Sequence, residues 1–216
     1  MNGSLILTRR RALAAGASLA ALALGDPAAA ARLIATPAQT EGPFYPLTLP
    51  LDRDNDLVKV AGQPGLAKGT ITHVFGQVLD PGGRPMKDAR VEIWQCDAQG
   101  HYHHPGDRRG QADPAFQGYG QTLSAADGAY RFRTIRPVAY PGRTPHIHFK
   151  VKAPGTPELT TQMYVAGEPG NARDMVLNQI RDPEARARVI VALEPAAGLE
   201  ASALQGRFDI VLSRDA

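Results

Sequence analysis

From Thr70 onward the chain alternates with a period of two. Ile71, His73, Phe75 and Gln77 stand on one side of that period, and Thr72, Val74, Gly76 and Val78 on the other, as in a β-strand. The turn cluster Asp80-Pro81-Gly82-Gly83-Arg84-Pro85 ends it. Residues 89–96 form the next strand, stopped by Asp97-Ala98-Gln99-Gly100. Residues 120–124 lead into Asp127-Gly128, a hairpin signal, and 129–135 alternates again with Tyr130, Phe132 and Thr134 on one face. Further strands are predicted over 146–151, 159–165 and 207–212. Many short strands divided by such turns predict an all-β fold, an antiparallel β-sandwich. Helical material is confined to 171–190, where Asp182-Pro183-Glu184 offers a cap and a first-turn proline, so short peripheral helices are expected there.

Residues 31–69 follow neither period and read as an irregular N-terminal arm. Within it, Gln39-Thr40-Glu41-Gly42-Pro43-Phe44-Tyr45-Pro46 is expected to be an ordered coil packed across the sheets, and Asp52 to Asp56 a solvated turn. Residues 1–30 read as a leader outside the fold. They contain Thr8-Arg9-Arg10-Arg11-Ala12-Leu13, an apolar run from Leu13 to Leu24, and the small residues Ala28-Ala29-Ala30 of a cleavage site. The paired arginines look like a twin-arginine signal, a route for proteins that fold before export, so a periplasmic or secreted location is expected. The apolar run is short for a bilayer span, and no stable membrane insertion is expected after cleavage. The leader's three arginines and one aspartate supply most of the net charge of +3. The rest, with no basic run interleaved with aromatics, is not expected to bind nucleic acid. Its size suits one domain, with the sandwich over 70–216.

The candidate chemistry lies in Tyr140-Pro141-Gly142-Arg143-Thr144-Pro145-His146-Ile147-His148. On a strand, His146 and His148 share a face opposite Ile147, Phe149 and Val151. Pro141, Gly142 and Pro145 make a tight approach that brings Tyr140 to the same end. Upstream, His101-Tyr102-His103-His104 adds a second phenol in a loop. Two imidazoles and two phenolates form a hard, anionic donor set, which suits ferric iron better than zinc. The single cysteine, Cys96, reads as a small buried hydrophobe beside Trp94, rather than a thiol linking two chains. Tyr119 and Tyr130 read as packing residues.

Taken together, GPFYP (42–46), VEIWQCDAQGHYHH (91–104), DGAYRFRTIRP (127–137), Tyr140 to His148, LTTQMYVAGEP (159–169) and RFDIVL (207–212) resemble the intradiol ring-cleavage dioxygenases, in the family's order. The resemblance implies a prealbumin-like sandwich that holds Fe(3+) through Tyr102, Tyr140, His146 and His148, with Tyr140 opposite His148. It implies a catecholic substrate and dioxygen, cleavage between the two hydroxylated carbons to a muconate-type diacid, and Tyr140 taking up a substrate proton. It also matches Arg143 to an active-site arginine that stabilises charge on the ring, and Gln162 to a glutamine whose amide orients Arg143 or an oxygen intermediate. Tyr45 falls near the substrate mouth by the same resemblance. Partners expected on this reading are the small molecule, dioxygen and other copies of the chain in a homo-oligomer. Two features depart from the family: only five residues separate Tyr140 from His146, which implies a more open mouth, and His101, His103 and His104 surround Tyr102 and are expected to be exposed. The competing reading is a metal-independent binding module of the same shape with a relic site. Gly100-His101-Tyr102 is what favours the enzyme.

Overall fold

The computed structural model describes Met1, residues 32–196 and residues 198–213. The leader, Met1 apart, lies outside the described residues. Ten strands follow in order: β1 (Ile71–Leu79), β2 (Arg90–Trp94), β3 (Tyr119–Leu123), β4 (Ala129–Ile135), β5 (His146–Lys152), β6 (Leu159–Val165), β7 (Ile190–Val191), β8 (Glu194–Pro195), β9 (Leu204–Arg207) and β10 (Ile210–Val211). Two 3₁₀ turns and one helix, α1 (Pro183–Arg188), lie between β6 and β7. Asp182 caps α1 by accepting the Glu184 N–H, as its sequence predicts. Among the described residues no helix is long and apolar enough to cross a membrane.

The strands form two five-stranded sheets. In one, β1 pairs with β4, β9 and β10, and β9 pairs with β8; the second has the order β3-β2-β5-β6-β7. Their centres are antiparallel, as expected, but the sheets are mixed. β9 and β10 run parallel to β1, and β7 runs parallel to β6. The chain leaves β6 and passes through the 3₁₀ turns and α1 before returning, and only such a crossover lets the next strand run the same way. The hairpin expected at Asp127-Gly128 is absent. β3 bonds to β2 and β4 to β1, so this turn carries the chain from one sheet to the other. The local signal is sound, since Ala129 N–H donates to Asp127 Oδ1 at 3.0 Å. The turn is nonetheless anchored by Val78 N–H donating to Gly128 O at 2.9 Å, a bond to β1.

Alternation sorts the side chains. Val74 and Phe132 from the first sheet and Ile93, Ile147, Phe149 and Met163 from the second are fully buried in the space between the sheets. Gly76 allows the closest backbone approach: a Cβ there would lie 2.0 Å from Phe208 O, where the chain passes from β9 to β10. His146 and His148 lie on the opposite face of β5 from this core. A second cluster of Trp94, Cys96, Tyr102 and Tyr119, packed with Phe44, Tyr45, Val138 and Tyr140, covers that outer face. The arm is the ordered coil expected. It bonds to the first sheet through Thr36 N–H to Val211 O (3.0 Å) and to the second through Gln39 N–H to Thr160 O (2.8 Å). The stretch from Asp52 to Asp56 is not merely solvated. Asp56 accepts from Arg133 at 2.9 Å and Arg133 N–H donates to Asn55 O at 2.8 Å, which ties the segment to β4.

Candidate metal centre

Three neighbouring strands build the floor. Trp94 on β2, His148 on β5 and Gln162 on β6 are register partners in one row, with His146 beside Tyr164 in the next. Tyr140 enters from a β-turn closed by Arg143 N–H donating to Tyr140 O at 2.9 Å. Pro141 and Gly142 occupy its middle positions, and Gly142 has φ 83°, the type II arrangement that a glycine there permits. Tyr102 follows the Asp97–Gly100 turn, in which Asp97 Oδ1 accepts the N–H groups of Gln99 and His101, both at 2.9 Å. The tight approach to the histidine strand is therefore as the sequence predicts, and it brings Tyr140 to His146.

The six residues singled out in the sequence come together. His146 Nε2 and His148 Nε2 are 3.2 Å apart, and the Tyr140 hydroxyl is 3.4 Å from His146 Nε2. The Tyr102 ring lies 5.7 Å from that of Tyr140 and 6.3 Å from that of His148, centroid to centroid. Its hydroxyl is buried without a hydrogen-bond partner, and so is His148 Nδ1. His146 Nδ1 lies 2.6 Å from Thr144 O, an acceptor only, so it carries the proton and turns the Nε2 lone pair into the cluster.

Protonation follows from burial. Both phenols are pushed above the ordinary tyrosine range by desolvation, Tyr102 strongly so, with the Tyr140 phenol adding to the effect on Tyr102. His146 is lowered to about 3 and His148 well below its usual value, first by burial and then by nearby positive charge, Arg143 in both cases and His146 beside His148. Without a cation the cluster therefore holds neutral phenols and neutral imidazoles. Leaving a buried hydroxyl unpaired costs about 1–3 kcal/mol. A cation among these four donors would satisfy the Tyr102 oxygen and give the facing Nε2 lone pairs a common partner. The donor set fits a hard, highly charged metal ion.

Arg143 and Gln162 stand beside the donors. Arg143 donates to Gln162 Oε1 at 2.5 Å, and Gln162 Nε2 donates to Thr40 O of the arm at 2.9 Å. Two carboxylates escaped the sequence reading. Asp174, with no solvent exposure, accepts from Arg143 Nε at 2.9 Å. Burial pushes its pKa up, but the N–H groups of Leu177 and Thr144 and the Arg143 guanidinium prevail and hold it below the usual carboxylate range. Asp107 accepts the Tyr102 N–H at 2.8 Å and pairs with Arg109, whose guanidinium lies 4.7 Å from the Tyr140 ring centroid. Only an Asp directly before the apolar run Met175-Val176-Leu177 hinted at a capping carboxylate at 174. Nothing in the loop 105–118 marked Asp107.

Other expectations shift. Tyr45 stands one layer behind the donors, with its hydroxyl on Glu92 at 2.7 Å, Lys150 3.5 Å over its ring and its edge against Trp94. Gly42 and Phe44 come closer to the donors. A Cβ on Gly42 would lie 3.4 Å from His148 Cε1, and Phe44 stacks on Tyr102 at 4.7 Å. Of the three histidines around Tyr102, only His103 is exposed, and its Nε2 bonds Asp113 O at 3.0 Å. His101 and His104 are half-buried, against Gly110 and the edge of Phe44 respectively. Cys96 is buried as expected, and desolvation raises its thiol to about 12.

The family model described as "Dioxygenase" matches residues 40–214. The protocatechuate 3,4-dioxygenase beta chain of Burkholderia cepacia is 41% identical over 174 residues, which span 76% of this chain and 73% of that protein. Hydroxyquinol 1,2-dioxygenase of Nocardioides simplex is 33% identical over 181 residues, spanning 74% of this chain but only 57% of that protein. Among solved structures, the dioxygenase domain of a dioxygenase carbohydrate-binding protein fusion from Streptomyces sp. SirexAA-E is similar with a TM-score of 0.65 and 33% identity. That match covers 83% of this chain and 99% of that domain. Both the sequence match, which runs from the arm to the last strand, and the shared sandwich lead to one assignment: the chain belongs to the intradiol ring-cleavage dioxygenase family.

Proposed function

We propose that this protein is a ferric, non-haem intradiol dioxygenase. It opens the ring of a catecholic compound between its two hydroxylated carbons and adds both atoms of dioxygen, giving a muconate-type diacid. The observation that carries this reading is the convergence of four donors, three of them buried, with too few partners among themselves, the Tyr102 hydroxyl having none. Tyr102, Tyr140, His146 and His148 hold the ion. Bound there, iron(III) would supply a trivalent charge that favours phenolate over phenol and would activate the catechol toward dioxygen.

The chain's own residues do the rest. Tyr140 is half-buried and sits on a turn, so of the four donors it is the one whose oxygen would be placed to accept a catechol hydroxyl proton. Arg143 presents a fixed positive charge to the site and stabilises negative charge developing on the ring. Gln162 holds Arg143 through its carbonyl and is itself held by the arm. Gly42 and Phe44 cover His148 and Tyr102 and keep bulk water from that side. Protocatechuate and hydroxyquinol name the two relatives above, and catecholic compounds are the class proposed here. Export by the twin-arginine route after folding, and assembly into a homo-oligomer, belong to the same proposal.

The test is a visible spectrum and metal analysis of protein expressed with added iron, followed by oxygen uptake with a panel of catechols. Near one iron per chain, a red-brown phenolate-to-iron band and a ring-opened diacid by mass are expected. Tyr102→Phe and His148→Ala should each lose the band or the metal. Colourless, iron-free protein that takes up no oxygen would leave the metal-independent binding module instead.

A further inference from the structure

Arg143 takes its direction from partners on two different segments. Its Nε–H donates to Asp174 Oδ2 at 2.9 Å and a terminal nitrogen donates to Gln162 Oε1 at 2.5 Å. The Asp174 side chain is fully buried and that of Arg143 is 15% exposed. A buried ion pair is an inefficient way to stabilise a fold, because desolvating both charges offsets most of their attraction. A packed apolar pair would join the 140–145 turn to the 169–177 segment as firmly. What the ion pair adds is a fixed orientation.

Asp174 meets four donors at once. Oδ2 accepts the Arg143 Nε–H and the Thr144 N–H, both at 2.9 Å, while Oδ1 accepts the N–H groups of Val176 at 3.0 Å and Leu177 at 2.9 Å. Thr144 is the residue whose carbonyl holds His146 Nδ1 at 2.6 Å. Its hydroxyl is fixed from the side by Asn171 Oδ1 at 2.8 Å. One carboxylate thus governs both the guanidinium and the residue that sets the His146 tautomer.

We propose that Asp174 is a positioning residue for ring opening: it holds the Arg143 guanidinium against the tyrosine–histidine cluster and, through Thr144, keeps the His146 Nε2 lone pair turned into it. This deepens the function proposed above and rests on it. Asp174 is held to Arg143 and to backbone N–H groups, so it acts only through them. An amide cannot replace it. Whichever way the side chain introduced by Asp174→Asn turned, its Nδ2 would face two N–H donors and one pair of bonds would be lost.

In iron-loaded Asp174→Asn, kcat should fall about 100-fold with KM changed less than about 3-fold, as for the loss of a fixed charge-stabilising group. Asp174→Glu, which keeps the charge on a longer arm, should recover part of it. In an Arg143→Gln background, adding Asp174→Asn should lower kcat less than about 3-fold further, because the two residues act as one unit. Wild-type kcat in Asp174→Asn, or effects that simply multiply with those of Arg143→Gln, overturns the proposal. A second measurement needs no iron, no turnover and no variant at 174. In the apo wild-type protein, the Arg143 Nε–H resonance, assigned by its loss in Arg143→Lys, should exchange slowly with water, and His146 should show the Nδ1–H tautomer by its ¹⁵N shifts. A freely exchanging Nε–H overturns the proposal even if Asp174→Asn does not fold. A wild-type chain that takes up no iron sinks the parent function and this proposal together. An active wild type with an unprotected Arg143 sinks this proposal alone.

Discussion

At residue 102 the proposed function and stability pull in opposite directions. The Tyr102 hydroxyl is buried with no hydrogen-bond partner, and a phenol so placed weakens the fold unless a cation meets it. Tyr102→Phe removes that oxygen and keeps the ring stacked on Phe44. The metal-free variant should therefore be more stable than the metal-free wild type by about 1 kcal/mol, or about 3 °C in melting temperature. Calorimetry of both apo proteins checks this, and a clearly lower melting temperature in the variant would mean that the hydroxyl has a partner. The imidazoles give a second expectation at this scale. Below pH 6.5 the unfolded chain protonates both rings, whereas in the folded apo protein burial keeps His146 neutral down to about 3 and holds His148 well below its ordinary value. The unfolded state then binds more protons. The contribution is present in full above pH 6.5 and falls as pH drops, for His146 by about 1.4 kcal/mol per pH unit from 6.5 toward 3, with His148 adding a loss of the same sign. Denaturant midpoints of the apo protein at pH 7 and pH 5 should differ accordingly.

Elements carry these residues to their places through contacts of unequal tolerance. Gly76 on β1 lies where the backbone between β9 and β10 crosses, and Phe208 N–H donates to Phe75 O at 2.8 Å. A methyl group 2.0 Å from Phe208 O must push the strands apart, so Gly76→Ala should cost about 3 kcal/mol or more in urea unfolding. Gly167 has φ 78° but nothing within 4 Å of a Cβ, and Gly167→Ala should cost only about 1 kcal/mol. Equal losses for the two would show that the crossing can yield. The same contrast explains what the sequence disclosed. The period of two marked the strand that bears His146 and His148, and the Pro-Gly turn marked the approach of Tyr140 to His146. Both are local properties. The partner of each strand is not, so Asp127-Gly128 read as a hairpin when it joins two sheets, and the parallel edges went unread. Asp174 and Asp107 stayed hidden for the same reason: a carboxylate in an irregular loop has no period, and its importance comes from segments it meets only after folding.

At the scale of the molecule, the donors lie on the outer face of a sheet, away from the core between the sheets, and are roofed by the arm and the 97–118 loop. Sandwich and centre are thus built from opposite sides of the same strands, and one side can change without repacking the other. Loss of metal should leave the sheet signature in far-ultraviolet circular dichroism intact, and chelation that unfolded the protein would contradict this division. The stacking of Trp94 on His148, 4.8 Å between centroids and 11° from parallel, has a consequence of its own. Trp94 is the chain's single tryptophan, so its emission comes from one indole in van der Waals contact with a proposed metal donor. Ferric loading should darken that emission almost completely, making occupancy of each molecule readable by light before any substrate is added.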